Sequence, residues 1–225
     1  MVNPHSLAAT LDAFTEATRT GDLLAPRERQ AIATWLAGQC QQDGSYEGMP
    51  APTPEDFAGN PRLFTGEPLS GRGGMACKLG NEACRALIEL AATSPAVQTA
   101  LRRAEEQMRA RLEPATAERA GFYCCGSCSV AVWRHLRAGG LDRQEERLAR
   151  GMKLLHRARL DNGSWRFYPS WYTVWALLEI DDPAARIELE YAAPRLERYL
   201  KRPPRLAAPY AARRAEIARQ VLARV

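Results

Sequence analysis

Apolar side chains recur at helical spacing in nine stretches of this chain: 5–19, 26–41, 76–93, 95–112, 126–138, 142–159, 169–180, 183–201 and 206–224. Start and stop signals fall between them. Pro26 opens one stretch, Ser94-Pro95 another, and Asp142 and Asp182-Pro183 stand where caps belong, while Gly139-Gly140 marks a stop. Abundant Ala and Arg, with sparse Val, Ile and Thr, suit helices and speak against a large sheet. Short connections favour antiparallel packing of successive helices. The expected fold is therefore all-α, a single domain over 1–225 built as an array of α/α hairpins, about four of them plus a terminal helix. One segment breaks the pattern. Between residues 43 and 74 stand Pro50, Pro52, Pro54, Pro61, Pro68, Gly71, Gly73 and Gly74, a composition that opposes regular structure. A loop of that length in a compact domain is expected to act as a lid or a wrapping segment.

The net charge of +5 is spread as Arg interspersed with Glu and Asp, so no dedicated nucleic-acid surface is expected. No stretch reaches the roughly 18 to 20 apolar residues of a membrane span, so no transmembrane segment is expected. The opening MVNPHSLAATLDAF lacks a basic start followed by a long apolar run, which makes the cytoplasm the default location. In a reducing compartment, six cysteines serve as packing, metal ligands or redox groups rather than as a disulfide framework.

A phrase of polar turn, glycine and aromatic residue recurs between helices. It reads Gln41-Gln42-Asp43-Gly44-Ser45-Tyr46, then Gly121-Phe122-Tyr123, then Asp161-Asn162-Gly163-Ser164-Trp165. Each follows an amphipathic stretch and leads toward a more apolar one, as in a repeat whose units cannot bury their faces alone. At these residues the chain resembles the prenyltransferase and squalene-cyclase repeat of the α/α-toroid superfamily. The likeness is fullest over 158–182, where Ser170-Trp171-Tyr172-Thr173-Val174-Trp175-Ala176-Leu177-Leu178 matches an inner helix, and extends to 38–48 and 76–138. It implies outer helices handing the chain to inner ones around a lumen. With fewer hairpins than a closed ring of that family, the array is expected to be incomplete, finished by a partner, by a second copy or by the 206–224 helix. The cyclase Asp-x-Asp-Asp has only Glu179-Ile180-Asp181-Asp182 as a counterpart, and Asp182-Pro183 reads more simply as a helix cap. No catalytic residue is assigned, and the sequence leaves open whether the protein is an enzyme.

Two constellations carry chemistry. Tyr123-Cys124-Cys125-Gly126-Ser127-Cys128 contains a Cys-x-x-Cys, the short spacing of tetrahedral zinc sites. Cys77 and Cys84 are seven apart and share a helical face, so Cys77, Cys84, Cys125 and Cys128 form the candidate metal set, with zinc as the ion. Free cysteine also packs as a small apolar residue, the expectation for Cys40, and Cys125 at a helix start suits a redox thiol. The second constellation is aromatic. The resemblance to the cyclases implies that Trp165, Tyr168, Trp171, Tyr172 and Trp175, with Phe167 among them and Tyr123 upstream, would wall a cavity for an isoprenoid-type ligand and stabilise a cation there. Core filling is the alternative.

Asn81-Glu82 reads as the first turn of a helix, where the dipole favours a carboxylate, or as a carboxylate presented to a cavity. Gly71-Arg72-Gly73-Gly74 lacks the Lys-Ser/Thr ending of a phosphate loop. Of His5, His135 and His156, only His135 lies near a cluster in sequence. Three functions follow as expectations: a prenyltransferase-like or terpene-cyclase-like protein that binds or transforms a hydrophobic small molecule, a non-catalytic scaffold for a protein partner, or a cysteine-ligated metal or redox protein.

Overall fold

A computed structural model describes residues 1–21, 24–113, 121–202 and 205–225. Among the described residues there are ten helices: α1 (Leu7–Thr20), α2 (Pro26–Gly38), α3 (Pro54–Ala58), α4 (Arg72–Leu90), α5 (Pro95–Leu112), α6 (Gly126–Ala138), α7 (Gln144–Arg157), α8 (Ser170–Glu179), α9 (Pro183–Lys201) and α10 (Ala208–Leu222). The only pairings outside them among those residues are isolated bridges, Arg62 with Pro68 and Arg159 with Trp165, so the fold is all-α. No helix among the described residues is long and apolar enough to cross a membrane.

The helices sort by apolarity. The buried residues of α4, α6 and α8 run almost all round each helix, and these three form a central row, α4 against α6 and α6 against α8. Helices α2, α5, α7 and α9 have one buried stripe each and pack on the outside of that row. Helix α1 lies on α4, and α10 lies on α8 and α9. Arg213 of α10 ties the chain's two ends together, donating to Asp12 at 2.7 Å and to Glu16 at 2.7 Å on α1.

The glycine-aromatic phrases all turn left-handed: Gly44 has φ 84°, Gly121 98° and Gly163 80°. Each lies between a flanking helix and a member of the central row. Gly121 is the tightest case, because a Cβ there would run into the backbone of α7 at Arg147, Arg150 and Gly151.

Several local expectations need correction. Helix α4 begins at Arg72 rather than near 76, taking Gly73 and Gly74 into its first turn. Burial of the helix's long apolar face outweighs the poor propensity of two glycines. Asp142 does not cap α7. Arg143 occupies that position with φ 50°, and Asp142 instead accepts from the buried Arg147 at 3.3 Å. Ser94 stands at the start of α5 but its hydroxyl makes no capping bond. Asp182 does cap α9, accepting from the Ala184 amide at 2.7 Å.

The Pro/Gly-rich 43–74 segment wraps rather than covers. It contains α3, buries Met49, Leu63, Phe64 and Leu69, and supplies caps to two distant helices. Asp56 accepts from Ser6 at 2.6 Å and from the Leu7 amide at 2.7 Å at the start of α1. Glu67 accepts from the Trp171 and Tyr172 amides at 3.1 and 3.0 Å at the start of α8. Two carboxylates of this segment, one in α3 and one in the loop after it, thus satisfy helix donors that would otherwise be left bare.

Candidate metal centre

The turn that leads into α6 is braced from within. Ser129 donates to the Cys125 carbonyl at 2.7 Å and accepts from the Tyr123 amide at 2.8 Å, which folds residues 123–129 back on the first helical turn. Cys125 stands at the N-cap position, where its sulfur accepts from the Cys128 amide at 3.4 Å. A neighbouring loop presses on the other side. A Cβ at Gly126 would collide with the carbonyl of Phe167, a residue held at φ 69° with its side chain 81% exposed.

That turn brings the sulfurs of Cys124, Cys125 and Cys128 within 4.8 Å of one another. Cys77 approaches from α4, its thiol facing those of Cys124 and Cys128. Cys124 and Cys125 are exposed, while Cys128 and Cys77 are buried. Hydrogen bonds from Cys128 and Cys77 hold the Cys124 thiol far below the ordinary thiol range, and Cys77 and Cys128 are pushed up.

Of the four cysteines expected to converge, Cys125 and Cys128 lie in one group, Cys77 reaches that group through Cys128 and Cys124, and Cys84 lies elsewhere. Seven residues on a helix return to the same face but two turns along, about 10.5 Å away, too far for two sulfurs to share one ion. Cys84 instead lies beside Cys40 and Glu105, and burial raises its thiol well above the ordinary value; the same cause pushes Cys40 up to about 12. Cys124 belongs to the cysteine run on which the sequence centres a metal or thiol function, although it stands outside the four-residue candidate set, and the irregular turn lets its side chain point the same way as that of Cys125. His135 is also outside the group, buried two turns deeper with Nδ1 3.0 Å from Asn81 Oδ1 and with Nε2 lacking a partner.

The aromatic residues pack against neighbours. Trp165 donates to Glu188 at 2.8 Å, Tyr168 stacks on Trp133, and Trp171 meets Tyr199 edge-on. Trp175 lies between Phe64 and the Arg134 guanidinium, 3.6 Å from its ring centre. Tyr123 hydrogen-bonds Tyr46 through their half-buried hydroxyls. The cavity that Tyr172 and Trp175 touch measures about 20 Å³, and the one beside Tyr123 and Trp133 about 40 Å³. A drug-sized ligand needs roughly 300 Å³ or more.

Glu82, expected in a first turn, sits in the middle of α4 and faces the small cavity. It accepts from Arg134 and Tyr172 at 2.5 Å each and from Arg85 at 2.9 Å. Burial opposes its ionisation, but Arg134 and Arg85 outweigh that and its pKa is lowered. Glu179 completes the group, accepting two bonds from Arg134 at 2.8 Å, so it belongs to an ion network rather than to a catalytic acid motif.

Compared with known proteins, the chain matches no family model, and no curated protein or solved structure matches it significantly. The fold and the site define an all-helical protein with a convergent cysteine cluster, and its function is argued from those residues.

Proposed function

We propose that this protein binds a single thiophilic metal ion, zinc by preference, through Cys124, Cys125 and Cys128, with Cys77 as the fourth ligand. The convergence of three sulfurs within 4.8 Å carries the reading. Zinc–sulfur bonds of about 2.3 Å in a tetrahedron set the sulfurs about 3.8 Å apart, so little movement separates the thiols from a ligand shell. Crowding at that scale suits one ion rather than a polynuclear cluster. A shell of four thiolates leaves no position for a substrate, so the ion acts as a clamp that joins the 123–128 turn to α4. The isoprenoid-binding reading is not the one favoured, because both cavities at the aromatic residues are an order of magnitude too small for such a ligand.

The reduced, full-length chain titrated with Co²⁺ should take up one equivalent and develop the thiolate-to-cobalt charge-transfer absorption of a tetrahedral sulfur site. Cys128→Ser and Cys77→Ser should each weaken uptake, whereas Cys40→Ser should leave it unchanged. A chain that binds neither cobalt nor zinc, with all its thiols open to titration, would end this proposal.

A further inference from the structure

Cys125 and Cys128 have the geometry of a disulfide as well as that of a metal-ligand pair. They are three residues apart across the first turn of α6, which places their Cα atoms about 5 to 6 Å apart, inside the window for a disulfide. Their sulfurs are already neighbours, and the Cys125 sulfur lies against the Cys128 amide at 3.4 Å. Cys124 and Cys125 are both exposed and Cys128 is fully buried, so an incoming reagent meets the outer pair first, and of that pair Cys125 is the one whose sulfur lies against the Cys128 amide, with Cys128 held behind it. The Ser127 hydroxyl, 3.3 Å from the Cys125 sulfur, adds a hydrogen-bonding neighbour for a thiolate there. Cys77 lacks this geometry because it belongs to α4, packed along the length of α6, and a bond from it would link two helices rather than one turn.

We infer that Cys125 and Cys128 are an oxidisable dithiol that reduces low-molecular-weight disulfides and, in doing so, releases the metal. The inference rests on the proposed metal site for its second half only. In the first step the Cys125 thiolate attacks one sulfur of an external disulfide. A mixed disulfide forms, the external sulfur–sulfur bond breaks, and one small thiolate leaves. The Cys128 thiolate then attacks the Cys125 sulfur, the intramolecular bond forms, and the second small thiolate leaves. The protein loses two electrons, the external disulfide gains them, and the protons of the two cysteine thiols end on the two released thiols. Two of the four ligands are consumed, and Cys77 and Cys124 alone do not retain the ion against solvent.

The test uses the full-length reduced chain, zinc-loaded and metal-free, with cystamine as the disulfide. Intact mass should fall by two hydrogens in both forms, and peptide mapping should place the new bond between Cys125 and Cys128. Zinc release, read with a chromogenic chelator, should match the extent of crosslinking and should reverse on reduction with added zinc. In the metal-free chain Cys125→Ser should slow cystamine consumption on the order of tenfold or more, with helical circular dichroism unchanged. A bond mapped to Cys124–Cys128 or Cys77–Cys124, a lasting cystamine adduct without an internal bond, or an unchanged rate in Cys125→Ser overturns the inference. The two proposals fail separately. A chain that forms the Cys125–Cys128 bond but never takes up zinc refutes the metal site alone, and one that holds zinc but forms no such bond refutes the dithiol alone.

Discussion

Two polar groups lie along the same seam between α4 and α6, and they are built on opposite principles. In the charged group every polar atom is used. Arg134 donates from all three nitrogens, both oxygens of Glu82 accept, and Tyr172 donates its hydroxyl. In the thiol group, about two turns further toward the start of α6, three sulfurs converge with Cys77 alongside, and Cys124 and Cys125 are open to solvent. A saturated buried network contributes to one packing arrangement and has no capacity left for a ligand. A convergent set of unsaturated, ionisable sulfurs is the arrangement that an ion completes.

The largest expected effect comes from breaking the saturated side. Glu82→Ala leaves Arg134 and Arg85 buried beside a missing carboxylate and should cost about 3 to 5 kcal/mol in urea unfolding. A loss below about 1 kcal/mol would show that the charged group is far better solvated than its burial indicates. Next comes the thiol side. With zinc at a hundredfold its dissociation constant the folded chain should gain about 2.7 kcal/mol, all of it removed by a chelator and absent in Cys128→Ser. No shift in melting temperature on adding zinc would erase the contrast between the two groups.

His135, next to Arg134 on α6 and paired with Asn81, sharpens the comparison through pH. Burial pushes its pKa down to about 3, below the unfolded value near 6.5, so the neutral ring is the folded form. Its contribution is present above about pH 6.5 and is lost as pH falls toward 3, at about 1.4 kcal/mol per pH unit within that window. His135→Gln should flatten that part of the stability profile relative to the wild type. An identical slope in both chains would place the titrating group elsewhere. The smallest effect is expected at the cysteines outside the cluster. Cys84→Ala should cost about 1 to 2 kcal/mol through a small cavity, with no change in metal stoichiometry, and a chain that loses its metal with this substitution would contradict the assignment of ligands.

Much of the helical frame was legible along the chain because its signals are local. The 126–138 and 183–201 helices have the expected bounds, Asp182 caps where its neighbour Pro183 announces a start, and Gly139 stops α6 at φ 100°. The errors fall where a distant partner intervenes. Asp142 pairs with the buried Arg147 instead of capping, and Glu82, which locally suits a first-turn carboxylate, has its partner Arg134 52 residues away. The 43–74 segment showed only that it lacked regular structure, and nothing local reveals that Asp56 and Glu67 cap α1 and α8.

The cysteines divide along the same line. Cys125 and Cys128 were legible as a pair, because two residues between them span one helical turn wherever that helix sits. Membership of Cys124 and Cys77, and exclusion of Cys84, depended on how α4 lies against α6 and how the 123–128 turn folds back. Sequence by itself determined which long segments coil, their bounds to within a few residues, and which short spacings can chelate, since those follow from bonds and contacts within a few residues. Only the tertiary structure decided which polar groups meet, because helices can slide and rotate against one another until side chains distant in the chain lock their register.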